Sequence, residues 1–224
     1  MINNLSVSEK LLLLAVRPIK GGLTGMTWQT LDFALTGAAL LEMTLTGNVS
    51  IRGKKVELLS AKSDSPLHAY LLAKLGRSSR PRRIRHWLEP IFVSKKKIKD
   101  EIYRSLVEKR EIRLEYHRFL FIKWEKPFLS PGNHAYDLID KIKNMVYQDT
   151  LDPKDVFLLA LLEPAGLLKR IYPDRSLRKS ARFRIRQFLE KNATSETVSE
   201  ACEIANAVKD AIVSARAASR VAVT

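Results

Sequence analysis

Apolar residues recur at helical spacing along most of the chain, and nine prolines and nine glycines separate the resulting segments. Ser6 and Glu9 have the spacing of a capping box, which predicts a first helix that begins beside them and ends near Pro18. The other predicted helices span residues 28–44, 67–75, 94–109, 134–148, 153–163, 165–172, 175–191 and 195–219. The pattern therefore predicts a mainly α fold.

Two segments alternate between apolar and polar residues instead, which is typical of β-strands. Residues 49–51 and 56–58 flank Gly53 and predict a short hairpin with its turn at that glycine. Residues 111–127 are rich in β-formers and predict a second hairpin, with its turn at 117–118. This turn lacks the Gly or Asn that a tight two-residue turn prefers.

The rest of the chain suits one soluble domain. Pro81 fits the first position of a helix, and no linker or repeat divides the sequence, so we expect a single domain over 1–224. The one cysteine, Cys202, excludes an intrachain disulfide and favours a reducing, cytosolic setting. The apolar runs are too short for a spanning helix. The four histidines lack the i, i+4 spacing of a metal motif, and the glycine-rich loop at 21–25 follows a helix, whereas a nucleotide-binding loop follows a strand. We therefore expect no metal site, no cofactor and no enzyme.

Positive charge is concentrated in two segments. Lys and Arg total 39 against 24 Asp and Glu, which gives a net charge of +15. Residues 77–110 carry net +8 and residues 168–191 carry net +7, so these segments hold the whole excess. Such segregation indicates a polyanion or an anionic surface as the partner. Nucleic acid and acidic lipid are the two candidates.

The helix predicted after Ser94 has an unusual first turn. Ser94 is a suitable N-cap, but Lys95, Lys96 and Lys97 follow it. Each exposed cation at this positive end of the helix dipole costs roughly 0.3–1 kcal/mol. Lysines at a helix N-terminus form a site for an anion, and Lys96 and Lys99 have the spacing of residues that share a helix face. We therefore predict an anion-binding site here.

Several short motifs, in order, resemble a known family. They are Leu-Ser-Val-Ser-Glu-Lys-Leu-Leu-Leu-Leu at 5–14, Gly-Ala-Ala-Leu-Leu-Glu at 37–42, Lys-Ser-Asp-Ser-Pro at 62–66, Trp-Leu at 87–88, Ser-Leu-Val-Glu-Lys at 105–109 and Arg-Ile-Arg-Gln-Phe-Leu at 184–189. With these motifs the chain resembles the Golgi phosphoprotein 3 family, peripheral membrane proteins that bind phosphatidylinositol 4-phosphate. The likeness runs over almost the whole chain.

The resemblance implies a fold, a location and partners. The fold would be a helical bundle ringed by amphipathic helices, and the protein would be cytoplasmic and peripherally membrane-associated, on the cytosolic face of the Golgi in a eukaryote. The family's β-hairpin helps to contact membrane and other subunits. This places Phe119, Phe121 and Trp124 at a membrane or subunit contact, where a homo-oligomer could form. Burial of these apolar side chains between layers is the alternative.

The resemblance also implies a headgroup pocket, built from a loop Trp, an Arg on the next helix and two basic residues one turn apart. By motif, the Trp falls on Trp28 and the basic pair falls on Lys96 and Lys99. The family's Arg falls on Thr36, so one bidentate phosphate contact is missing. The protein either prefers another anionic lipid or gains help from nearby cations, which are Arg82, Arg83 and Lys97.

A second function class stays open at this point. The passages 27–59 and 94–125 each run from a helix into a hairpin, as winged-helix units do, and clustered arginines also suit nucleic-acid phosphates. Arg178, Arg182 and Arg186 recur every fourth residue on one predicted helix. They form either a solvated face or an extension of a basic membrane-facing surface. With the resemblance, lipid binding ranks above nucleic-acid binding.

Overall fold

A computed structural model describes residues 2–24, 28–89 and 93–221 of the chain. Within these ranges ten α-helices combine with two small antiparallel sheets. The helices are α1 (Val7–Ala15), α2 (Trp28–Leu45), α3 (Pro66–Leu75), α4 (Ile84–Leu88), α5 (Lys95–Glu108), α6 (Ala135–Met145), α7 (Pro153–Leu162), α8 (Leu168–Ile171), α9 (Arg175–Lys191) and α10 (Glu196–Val221). The predicted mainly α fold with short hairpins is confirmed.

The strands form two separate sheets. They are β1 (Val49–Arg52), β2 (Lys55–Leu58), β3 (Arg82–Arg83), β4 (Ile112–Phe119) and β5 (Ile122–Leu129). The first sheet has the order β1-β2-β3, and the second is the hairpin of β4 and β5. None of the helices within the described ranges combines the length and the apolar character needed to cross a bilayer.

Helix α2 lies at the centre of the hydrophobic core. Its residues 30–43 are all buried, and α1, α7 and α10 pack against it. The core extends along the chain from Leu5 to Ile212. A helix that is apolar on every side is typical of such a central position.

Local signals placed several helix starts correctly. In the capping box of α1, the Ser6 side chain accepts from the Glu9 N–H and the Glu9 carboxylate accepts from the Ser6 N–H. At α5, Ser94 Oγ accepts from the Lys97 N–H at 3.3 Å. Both predicted caps are confirmed. A cap joins residues three positions apart, so the local sequence is enough to predict it.

The turn of the second hairpin differs from the prediction. Strands β4 and β5 pair from Ile112↔Leu129 to Phe119↔Ile122, so the turn consists of Leu120 and Phe121. The predicted turn at 117–118 is wrong, because both residues lie inside the ladder. Leu120 adopts a left-handed φ of 52°, a conformation that Gly or Asn usually supplies.

The prediction that Pro81 begins a helix is also wrong. Arg82 and Arg83 pair with Val56 and Lys55 of β2, and α4 begins only at Ile84. The ladder hydrogen bonds of β2 determine the conformation of this segment. They connect residues far apart in sequence, so the local pattern gave no sign of them.

Gly37 allows α10 to approach α2 closely. A Cβ atom on Gly37 would lie 2.8 Å from Ile204 Cγ2 and 3.0 Å from Val208 Cγ2. Gly37→Ala gains about 1 kcal/mol of helix propensity, but overpacking costs about 1–3 kcal/mol. We expect a net loss of about 1 kcal/mol in the free energy of unfolding, measured by urea denaturation.

The reason for this loss can be tested with a double-mutant cycle. Ile204→Ala removes the nearest methyl group, so the cost of Gly37→Ala should shrink or change sign in that background. A Gly37→Ala variant at least as stable as the parent would contradict the close approach of the two helices.

Candidate anion-binding site at the start of helix α5

The first turn of α5 consists of cations with no acidic residue among them. Ser94 caps the helix through the Lys97 N–H, and the other N–H groups of this turn point out of the helix end. The backbone dipole makes this end positive, so Lys95, Lys96 and Lys97 add to an existing positive potential. An anion bound here would meet both the N–H groups and the lysines.

The lysines of this turn lie in different environments. Lys96 is exposed, and it takes part in no ion pair with any residue that the structure describes. Lys97 Nζ lies 2.7 Å from Glu101 Oε1. The hydrogen bond from Lys97, together with the charge of Arg104, lowers the pKa of the Glu101 carboxyl. Lys96 is therefore the cation best placed to meet a ligand.

Lys95 and Lys99 lie against α2 instead. Lys95 Nζ is 3.6 Å from the centre of the Phe33 ring, and Lys99 Nζ is 3.2 Å from Asp32 Oδ1. Residues four apart lie on one face of a helix, so these two lysines point together towards the start of α2. Lys96 faces solvent and Lys99 is half-buried, and the predicted action of these two lysines at one site stays a prediction.

Asp32 is the counterion that sequence reasoning missed. It is buried on α2, and burial raises the pKa of its carboxyl while Lys99 and Lys95 oppose that rise. Burial likewise lowers the pKa of the Lys95 amine, and the charge of Asp32 opposes this. An acidic residue in an apolar helix signals a buried partner. The sequence alone does not identify which cation is the partner of Asp32.

Thr36, at the position of the family's arginine, does not replace the missing phosphate contact. Thr36 is buried, and its hydroxyl donates to the backbone carbonyl of Asp32 at 3.0 Å. Trp28 is the first residue of α2, and its side chain lies outside the described part of the chain. Its predicted place in the pocket stays a prediction.

Arg82 and Arg83 belong to the first sheet. Both pair with β2, and Arg82 Nε donates to Ser78 Oγ at 3.3 Å. Their contacts therefore lie on the sheet rather than in the first turn of α5. Their predicted contribution to headgroup binding stays a prediction.

A cavity of about 250 Å³ adjoins Lys99. The loop after α1 closes one side of it, and the Gly22 N–H donates to the Pro127 carbonyl at 2.6 Å, which fixes that loop to the base of the hairpin. Burial raises the pKa of the Tyr103 phenol, so Tyr103 stays neutral here. Cations and apolar groups share the lining, which includes Arg17, Leu31, Lys99, Tyr103, Trp124 and Lys126.

The tip of the second hairpin exposes apolar side chains to solvent. Phe121 is 94% exposed, and Leu120, Tyr116 and Trp124 are exposed as well. Burial between layers, the alternative for this strand, therefore does not apply to Phe121. The Phe119 side chain lies outside the described residues. Adjacent exposed apolar side chains are typical of a contact surface.

These features define a class of protein, a helical bundle with a basic helix start and an exposed aromatic hairpin. A family model described as Golgi phosphoprotein 3 matches residues 7–214. The chain therefore belongs to the Golgi phosphoprotein 3 family, and the resemblance seen in its motifs is confirmed. A comparison with curated protein sequences gave no significant match.

Proposed function

We propose that this protein is a peripheral membrane protein that binds anionic phospholipid headgroups at the start of α5. The observation that carries the proposal is the exposed Lys96, which has no ion pair within the described residues and lies beside the outward N–H groups of a capped helix. Family membership over residues 7–214 supports it. Phosphatidylinositol 4-phosphate is the headgroup that the resemblance implies.

The geometry suggests how a phosphate would be held. The N–H groups and the dipole of α5 favour an anion, and Lys96 adds a mobile positive charge. Asp32 already neutralises part of the charge of Lys99, so this site holds a phosphate less strongly than a site without a carboxylate. The aromatic tip of the hairpin would rest at the bilayer interface. A trafficking-adaptor role on a cytosolic membrane face and a homo-oligomer through the hairpin belong to the same proposal.

Nucleic-acid binding is the weaker candidate. A winged-helix unit needs an exposed recognition helix, but α2 is buried over residues 30–43. The passage 27–59 therefore does not present one. The lysines of α5 would still attract any polyanion, so a duplex DNA gel shift belongs beside every lipid measurement.

Two single substitutions should change lipid affinity in opposite directions. Lys96→Ala should weaken binding to phosphatidylinositol 4-phosphate vesicles about fivefold, which corresponds to about 1 kcal/mol for one cation. Its stability should stay equal or rise slightly, because a cation leaves a positive helix end. Asp32→Asn removes a carboxylate that lies 3.2 Å from Lys99 Nζ, so the local potential becomes more positive and affinity should rise by a similar factor. Vesicle flotation and thermal unfolding measure the two effects.

The controls distinguish binding at the start of α5 from non-specific electrostatic attraction to the vesicle. Lys62→Ala removes another exposed lysine, which follows the first hairpin, and should change affinity little. Binding should weaken as salt rises, because charges are screened within about 8 Å at physiological ionic strength. Full affinity in Lys96→Ala, or a shift of duplex DNA tighter than vesicle binding, would count against the proposal.

A further inference from the structure

Helix α9 carries far more positive charge than its packing requires. Its 17 residues include seven Lys or Arg and one acidic residue, Glu190. Only Ala181 and Ile185 are fully buried, so the helix rests on the bundle along a narrow line. Clustered like charges repel one another, so the helix gains no stability from them. A stripe of this kind suits an external anion.

Two of the seven cations of α9 contact neighbouring elements through backbone carbonyls or an aromatic ring. Arg178 donates to the carbonyls of Tyr172 and Pro173, and the Arg184 guanidinium lies 4.5 Å from the centre of the Tyr147 ring. These two arginines contact the C-terminal end of α8 and the chain just after α6.

Lys191 pairs with Asp149, and the other four cations form a stripe of exposed side chains. Arg175, Lys179, Arg182 and Arg186 follow spacings of four, three and four residues, which place them on one face, and all four are exposed. Arg182 Nε lies 2.8 Å from Glu163 Oε1. Within the described ranges, no ion pair involves Arg175, Lys179 or Arg186.

An exposed aromatic ring lies next to the stripe. Phe183 directly follows Arg182 and is 65% exposed. An apolar ring beside long cationic side chains suits a lipid interface, where the ring enters the headgroup layer and the cations meet phosphates. A solvated face kept only for solubility gains nothing from this phenylalanine.

Arg182 connects the stripe to the chain segment that follows α7. Arg182 pairs with Glu163, the C-cap of α7, and the chain after α7 contributes Ala165 and Leu167 to the cavity that Lys99 lines.

We propose that Arg175, Lys179 and Arg186, with Phe183, form a second contact with an anionic bilayer. This inference rests on the proposed function and extends it, because it gives the protein two separate points of attachment. Arg175, Lys179 and Phe183 lie on the exposed face of α9, whereas Arg186 also lines a cavity of about 280 Å³ beside α7 and α10. A row of single exposed cations responds to surface charge rather than to the identity of a headgroup. The start of α5 would supply headgroup preference, and α9 would supply affinity for any acidic membrane.

The test uses the full chain and phosphatidylcholine vesicles that contain phosphatidylserine but no phosphoinositide. Arg175→Gln, Lys179→Gln and Arg186→Gln in one variant should weaken flotation roughly 100-fold, at about fivefold for each cation that reaches the surface. Phe183→Ser alone should weaken it several-fold. Lys96→Ala should lower the preference for phosphatidylinositol 4-phosphate vesicles over phosphatidylserine vesicles, whereas the triple variant should keep that preference.

A matched variant controls for net charge. Lys54→Gln, Lys55→Gln and Lys62→Gln remove the same charge from exposed positions around the first hairpin, beside the opposite end of α2. Flotation of this control should stay close to that of the parent, because charges farther from the membrane than about 8 Å are screened. An unchanged unfolding midpoint in both triple variants shows that the fold is intact.

Each outcome supports or overturns the inference. A parent protein that floats with no anionic vesicle overturns the proposed function and this inference together. A parent that floats, with the α9 variant and the control equally affected, overturns the inference alone. Loss of duplex DNA binding in the α9 variant, with flotation unchanged, makes the stripe a nucleic-acid surface and also overturns it.

Discussion

Replacing both Phe121 and Trp124 by Ser should lower affinity for anionic vesicles roughly thirtyfold, or about 2 kcal/mol. Moving one aromatic side chain from water into an apolar environment is worth about that much, and Phe121, which is 94% exposed, supplies most of the change because Trp124 is only 44% exposed. The free energy of unfolding should fall only slightly, because Phe121 contributes little to the core and Trp124, which stacks on His117 and lines the cavity beside Lys99, is partly exposed. Flotation and urea denaturation measure the two quantities.

A matched control removes similar apolar surface elsewhere. Leu59→Ser with Tyr136→Ser changes two exposed apolar side chains away from the hairpin, and flotation should stay near the parent value. A Phe121→Ser/Trp124→Ser protein that unfolds would restore the burial interpretation. If only self-association is lost, the tip is a contact between subunits rather than with lipid.

The largest loss of stability is expected at Asp155. Lys10 is only 2% exposed, and its Nζ lies 3.4 Å from Asp155 Oδ1, while Lys141 Nζ lies 2.7 Å from Asp155 Oδ2. Asp155→Ala leaves the ammonium of Lys10 buried without its anion. Such a change costs roughly 3–5 kcal/mol in the free energy of unfolding. Urea denaturation at neutral pH measures it.

The same ion pair predicts a dependence on pH. Burial alone would raise the pKa of the Asp155 carboxyl, but the hydrogen bond from Lys141 and the charge of Lys10 hold that pKa below its ordinary value. The stabilisation is therefore present above the unfolded pKa of about 3.9 and is lost as the pH falls through the lower folded value.

A double variant supplies the control for Asp155. Lys10→Met with Asp155→Leu replaces the buried charges by apolar groups of similar size, which is often close to neutral. Lys141 is partly exposed and can return to water. The double variant should therefore be far more stable than Asp155→Ala. A cost below about 1 kcal/mol for Asp155→Ala would mean that Lys10 reaches solvent when its partner is removed.

The parts of the fold that the sequence predicted correctly depend on short-range contacts. Ser6 with Glu9 and Ser94 with Lys97 interact across three residues, so a local pattern is enough to place the helix starts. The turn at Leu120 and the strand after Pro81 depend on pairing between distant segments. The register of a β-ladder is set by which face of the strands packs on the core and by the turn geometry. The local sequence pattern alone does not show how these segments pack.

The site divides in the same way. The three lysines after Ser94 could be identified as a candidate site from the sequence, because their unfavourable interaction with the helix dipole is local. The contact of Lys99 with Asp32 was not, since α2 and α5 meet only in the folded chain. Lys10 occupies a helix that was predicted correctly, yet its burial beside Asp155 was not anticipated. That the chain forms a single domain over 1–224 stays a prediction.

The central position of α2 affects how the chain must fold during synthesis. Helix α2 is complete at residue 45, but α10, which covers part of its apolar surface, begins only at residue 196. While the ribosome makes the intervening segments, that surface lacks its last partner. The nascent chain therefore carries exposed apolar surface until α10 has been made, so we expect rapid docking of α10 to limit aggregation.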